Sequence, residues 1–369
     1  MAGLLGCSEG TETKHAVEPP SACASHELLV PDGTCIAPGI GADGCADGFE
    51  ADPHLGCRPI LPDDSCPPHQ MALPGEGDCR PVMACGEGRW GDLSVDGATV
   101  YVDASYTGGS EDGSAEHPFT TLSAAVASVS PNGLVAVAAG TYEEDLVITG
   151  KAVRIWGVCP ELVTLRTTGS QSTGCSAGAV CIGLGAEGTE IGGVTLTGPG
   201  RGITVANVAD VIVDRVVVHD TERRGVLMQQ LSVDTSVTLR NSLVSGARLH
   251  GVLGAGGTLT VESSVIENIT ADPGGLLGRG IEISVACVET DTSDLDCSPH
   301  PAASLHLHRS VVQGARDLGL LIRGATASVE ESVVRHTLPR VLDERSGRGV
   351  SVESVCGHAG DGVDCGGET

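Results

Sequence analysis

The stretch Val237-Thr-Leu-Arg-Asn-Ser-Leu-Val244 is answered 22 residues later by Leu259-Thr-Val-Glu-Ser-Ser-Val-Ile266. Four more units align with them, at 189–196, 211–218, 305–312 and 327–334. Successive starts differ by 22, 26, 22, 46 and 22 residues, the 46 being one unit plus an insertion. Positions 1, 3 and 7 of the unit are mostly apolar, and positions 2 and 4 mostly polar. Alternation with period two is the pattern of a half-buried strand. A fixed period near this length is the mark of a stacked solenoid.

A second strand follows in each unit. It opens at Gly202, Gly225, Gly251, Gly280, Gly319 or Gly349. Four units place it 13 or 14 residues after the start, and the units at Leu259 and Ala327 place it 21 and 22 residues on. Those two share more. Arg279-Gly-Ile-Glu-Ile-Ser-Val-Ala-Cys287 matches Arg348-Gly-Val-Ser-Val-Glu-Ser-Val-Cys356, and each is followed by an acidic loop ending at Cys297 or Cys365. Matched insertions in alternating units belong on one face of a stack. The sequence therefore predicts an all-β, right-handed parallel β-helix over residues 99–369. About eight rungs spaced by roughly 4.8 Å would make a stack about 40 Å long. Glycine is expected at the corners, for positive φ.

Ahead of the repeats, Phe119, Leu122, Val126 and Val129 share one face of a helix. This helix is expected to cap the open end of the core. The order is Tyr101-Val-Asp, an Asp/Ser/Gly loop, Pro118-Phe-Thr-Thr-Leu122, a helix, then Val135-Ala-Val137 and Gly140-Thr-Tyr142. It resembles the opening of pectin-lyase-like parallel β-helix proteins of unassigned function. That resemblance implies the same fold for residues 99–369.

Residues 1–7 end in Leu4-Leu-Gly-Cys7 and resemble a bacterial lipobox. The resemblance implies lipidation at Cys7, and Ser8 after it fits sorting to an outer membrane. Residues 8–22 read as a flexible tether. Residues 23–92 carry seven Cys among Pro and Gly and read as a disulfide-stapled segment. No CxxC pair occurs, which argues against zinc.

Composition narrows the function. The 369 residues carry a formal charge of −27, which argues against a phosphate-backbone binder and so against nucleic acid as a partner. Only 7 residues are aromatic, against 53 Gly and 15 Cys. All seven aromatics lie at or before Trp156, so later rungs lack stacking platforms. Fifteen Cys without metal-type pairing suggest an oxidising compartment. Local pairs Cys175–Cys181, Cys287–Cys297 and Cys356–Cys365 would clip insertions. Cys159 must then reach the Cys-rich segment, with Cys85 as the preferred partner.

Candidate chemistry is sparse. The Arg-x-Pro-x-x-Arg motif of pectate-lyase-like enzymes and the Asn-Thr-Asp and Gly-His-Gly motifs of polygalacturonase-like hydrolases are absent. One column remains. If the units stack in register, Glu262 and Glu330 flank His308, near the carboxylate spacing of inverting glycosidases. The bland reading is a solvated ladder of charges. Glu289, Asp291, Asp294 and Asp296 form an acidic loop that could hold calcium weakly. His250 reads as a surface residue. The expectation is a non-enzymatic outer-membrane or secreted lipoprotein that presents a rigid acidic β-helix to a polysaccharide or surface protein. The alternatives are a polysaccharide-active enzyme and a calcium-dependent adhesion module.

Overall fold

The computed structural model describes residues 28–29, 35–36, 44–52, 56–169, 178–285, 288–289, 295–296, 302–354, 357–359 and 362–364. The chain forms two compact units, Met1–Arg58 and Pro59–Thr369. The expected Cys-rich segment, 23–92, straddles them. The first unit holds the strand Phe49–Asp52 and the Cys45–Cys57 disulfide.

The second unit is a right-handed parallel β-helix. Among the described residues its three sheets hold nine, eight and eight parallel strands. Eight rungs run from Leu134–Val137 to Thr326–Glu330 in the first sheet, preceded by an opening strand, Val100–Val102.

Each rung has three strands, one more than the sequence suggests. The eight-residue unit is not a single strand but two, joined by a two-residue corner at positions 5 and 6, with position 5 in the left-handed region. Gly193, Arg215, Asn241, Ser263, Arg309 and Glu331 occupy position 5, all with φ between 45° and 62°. Positions 1 and 3, such as Val211 and Val213, point into the core. After the corner the parity changes, so position 8 (Val218, Val244, Ile266, Val312) is core and position 7 faces outward.

The outward position 7 is apolar because it is covered. Met71, Leu73 and Val82 pack on Val217, Leu243, Val265 and Val311 in a second hydrophobic cluster. They lie in or just after a short antiparallel pair, Gln70–Met71 with Arg80–Pro81, clipped by the Cys66–Cys79 disulfide. Residues 59–84 thus seal an apolar stripe on the second sheet. Cys85 continues this attachment by bonding Cys159 at the second rung.

Below the corner runs a ladder of serines at position 6, buried at Ser242, Ser264 and Ser310 and half-buried at Ser332. Ser242, Ser264, Ser310 and Ser332 each donate Oγ–H to the carbonyl two residues back, at 2.7–2.8 Å. Each Oγ also accepts the position-6 N–H of the preceding rung, from Val216, Ser242, Ser264 and Ser310, at 3.1 Å.

Helix α1, Leu122–Ser128, buries Leu122, Ala125 and Val126 in the main core at its N-terminal end. Thr121 caps it, accepting from Ala124 N–H. The Glu144 carboxylate accepts from the Leu122 and Ser123 amides at 2.7 and 2.9 Å. Lys151 donates to the carbonyls of Ala127 and Val129 at the other end. Both helix ends are therefore satisfied by side chains of the first rungs.

The glycine column at the start of the third sheet serves close packing rather than positive φ. A Cβ at Gly251 would meet Ile266 Cγ2 at 2.5 Å and Gly280 O at 2.7 Å. A Cβ at Gly280 would meet Val312 Cγ1 and Gly319 O, both at 2.4 Å. At Gly349, in the last rung, the nearest atom would be 3.8 Å away. Gly280→Ala is expected to destabilise the protein by about 2–3 kcal/mol through overpacking. Gly349→Ala should change little. Denaturant midpoints measured on both variants check this, and equal midpoints would contradict it.

Candidate functional site

The register predicted for position 4 is the register observed. Asp214 pairs with Arg240, Arg240 with Glu262, Glu262 with His308, and His308 with Glu330, on successive rungs. The stacking does not assemble an acid–base pair. Glu262 and Glu330 are exposed and His308 half-buried. Glu330 accepts from Ser328 Oγ at 2.7 Å, and His308 Nε2 lies 3.5 Å from Glu331 instead. At the other end, Arg240 bridges Asp214 at 3.0 Å. Exposed neighbours of opposite sign are each worth a few tenths of a kcal/mol to about 1 kcal/mol.

Of the proposed calcium ligands, Glu289 and Asp296 lie on an antiparallel pair, Val288–Glu289 with Leu295–Asp296. Asp291 and Asp294 lie outside the described residues, as do Cys175, Cys287, Cys297, Cys356, Cys365 and Cys7. Cys181 is buried and disulfide-bonded. Among the described residues no group of three His, Cys, Asp or Glu is placed to hold a metal ion.

Among the described residues, a buried ionisable cluster lies elsewhere, on the outer face of the third sheet. Glu282 falls in a column that otherwise reads Val147, Cys181, Thr204, Leu227, Leu253, Leu321 and Ser351. It is buried, with a side chain 8% exposed. His250 Nε2 lies 2.9 Å and Arg279 Nη1 2.6 Å from the same Glu282 oxygen. Arg279 Nε reaches Asp317 at 3.0 Å, and Arg340 stands 3.8 Å from Asp317 and 2.8 Å from Asp343. His250 is therefore buried, not the surface residue expected. The signal was present in the sequence: a Glu stands where three other units place Leu.

This cluster joins the two long turns. Arg279 and Asp317 flank the first, and the Asp317 carbonyl accepts from the Gly347 and Arg348 amides of the second. The Leu342 amide donates to Gly275 O at 3.1 Å, so the insertions lie against each other, as their matched spacing implied.

Burial pushes the Glu282 carboxyl up, but the hydrogen bond from His250 and the hydrogen bond and charge of Arg279 outweigh it and bring it down to about 2. Burial holds the His250 imidazole below its ordinary value, against the pull of Glu282. His250 Nδ1 is buried with no hydrogen-bond partner. A second ring proton would have no acceptor, so the neutral ring with Nε2–H toward Glu282 is the form that fits. At neutral pH Glu282 is an ionised carboxylate with its charge already matched. It is a rivet, not a general acid.

The fold is the right-handed parallel β-helix that the pectin-lyase-like resemblance implied. No protein-family model matches the sequence, and no curated protein matches it. Three solved structures are similar in outline. An alginate lyase from Paenibacillus sp. str. FPU-7 is 14% identical, with TM-score 0.36 over 59% of this chain and 94% of its own. A pectin methylesterase from Aspergillus niger is 13% identical, with TM-score 0.39 over 73% of this chain and 93% of its own. The pectate lyase Pel9A is 14% identical, with TM-score 0.39 over 67% of this chain and 81% of its own. Likenesses this loose carry no argument about activity.

Both depressed groups act in the same direction with pH. The Glu282 contribution is present above its ordinary value of 4.5 and is lost as pH falls toward about 2. The His250 contribution is present above 6.5 and is lost below it, because the unfolded ring takes up a proton first. Glu282→Gln should cost about 3 kcal/mol at pH 7, since it leaves buried Arg279 short of charge. It should also flatten the decline in stability between pH 4.5 and 2. Urea titrations across pH measure both effects, and a parallel decline in wild type and variant would contradict the assignment.

Proposed function

We propose that the protein works outside the cytoplasm as a rigid binding surface, held at the outer membrane by lipid on Cys7, and does not cleave what it binds. The observation that carries this reading is the state of its ionisable groups. Among the described residues, the stacked column is an exposed charge ladder, and the one dense buried cluster is neutralised internally. Neither offers a carboxyl poised to exchange a proton with substrate. The disulfides Cys45–Cys57, Cys66–Cys79 and Cys85–Cys159 support an oxidising compartment. No helix among the described residues is long and apolar enough to cross a membrane, and lipid supplies the anchor in this reading. The ligand class it suits is polysaccharide or a surface protein.

A second reading is a polysaccharide lyase or glycoside hydrolase on the same fold. It draws on the register that stacks Glu262, His308 and Glu330 on successive rungs.

Incubation with a panel of neutral and acidic polysaccharides, with and without calcium, separates the two. The binding reading expects retention of the protein on at least one polymer and no new reducing ends or unsaturated products. Product release that Glu262→Gln or Glu330→Gln abolishes would overturn it in favour of the enzyme. Palmitate labelling of the full-length precursor should disappear in Cys7→Ala, and an unlabelled wild type would reject the anchor.

A further inference from the structure

The last rung of the solenoid is open. Among the described residues its three strands, Thr326–Glu330, Val333–Arg335 and Arg348–Glu353, each stand at the edge of their sheet. Val329, Val350 and Val352 continue core columns, opposite Leu307, Leu320 and Ile322 of the preceding rung. They are 45%, 50% and 65% exposed, where those three are 1%, 0% and 7% exposed. Leu338, Val341 and Leu342, in the long turn of the same rung, are exposed as well. Bare apolar side chains are thus concentrated at this end of the stack.

The opposite end carries no such face. There helix α1 lies over the core, and Val100–Val102 adds to the first sheet. An edge strand also presents a row of unpaired N–H and C=O groups. Proteins blunt such edges with Pro or Lys, and these three strands contain neither. Past the last strand, the hairpin Gly357–Ala359 with Gly362–Asp364 lies beside Leu295–Asp296, in the turn of an earlier rung. It leaves Val350 and Val352 bare.

One open end and one capped end limit what fits the face. A second copy cannot stack head to tail, because α1 occupies the receiving end, so an open filament is ruled out. It can stack tail to tail about a two-fold axis, which closes the assembly. Copies related in this way run their edge strands antiparallel. The strand Arg348-Gly-Val-Ser-Val-Glu353 suits that pairing with itself. Registered about Ser351, Val350 of each copy meets Val352 of the other on the core side. The two ends of the strand carry opposite charges, so antiparallel pairing sets Arg348 of one copy toward Glu353 of the other. Parallel pairing would set like charge against like. We propose that the open rung is a self-association surface, on which a second copy of the chain adds its own last rung by edge-strand pairing. Each core then continues into the other, and the exposed valines are covered.

Sedimentation equilibrium of the full chain tests it, at about 0.15 M salt, where exposed charges are screened beyond about 8 Å. Cys7→Ala in every sample keeps lipid from driving association. The otherwise unchanged chain at tens of micromolar should have the mass of two chains, and should dissociate on dilution. Val350→Lys and Val352→Lys each place a charge where the copies meet, and each should weaken association by about tenfold or more. Both positions are at least half exposed in the single chain, so both variants should fold, and thermal unfolding midpoints check this. Leu231→Lys changes a side chain that is just as bare but lies on a middle rung, and should associate like the parent. A dimer retained by both edge variants, or lost equally in Leu231→Lys, would overturn the surface. Species that keep growing beyond two chains would overturn the closed two-fold pair. A chain that stays monomeric would overturn the proposal and leave the face to another protein.

Discussion

The hydrogen-bonded corner at positions 5 and 6 is the constraint on which the architecture depends. Holding a non-glycine residue in the left-handed region costs about 1–2 kcal/mol. Arg215, Asn241, Ser263, Arg309 and Glu331 all sit there. Four of the six corners have at position 6 a serine whose hydroxyl is used twice. It closes its own corner by donating to the carbonyl two residues back, and it accepts an amide from the rung before. At about 1 kcal/mol net per bond, two bonds are enough to offset the strained corner. Ser242, Ser264 and Ser310 are fully buried, so water cannot replace a missing partner.

The corner has consequences on both sides. It reverses the parity of the alternation, so one strand buries positions 1 and 3 and the next buries position 8. Position 7 is left as an outward apolar stripe. Residues 59–84 cover that stripe, which is why part of the Cys-rich segment folds as one unit with the solenoid. The corner also fixes the register, and with it the order Asp214, Arg240, Glu262, His308, Glu330. Along that order only Asp214 and Arg240 form an ion pair among the described residues, and the remaining groups stand as an exposed ladder.

The rung repeat, the capping helix and the register were legible because each rests on local periodicity. The third strand per rung was not. A two-residue turn opened by Arg, Asn, Ser or Glu carries none of the usual turn signals, and a shift of parity after it reads as continued alternation. The glycine column was visible, but its reason was not, because the clash it avoids is with the next rung. Glu282 was the readable clue to the buried cluster. Its partners were not readable as such, since His250, Arg279 and Asp317 come from different rungs.

Amide hydrogen exchange at Ser242 in wild type and Ser264→Ala tests the corner ladder most directly. Its N–H donates to Ser264 Oγ at 3.1 Å. Removing the hydroxyl leaves a buried donor unpaired, at a cost of about 1–3 kcal/mol. The ladder account predicts strong protection in wild type, and in the variant a loss of protection centred on Ser242 with a lower unfolding midpoint. Unchanged exchange and an unchanged midpoint would contradict it.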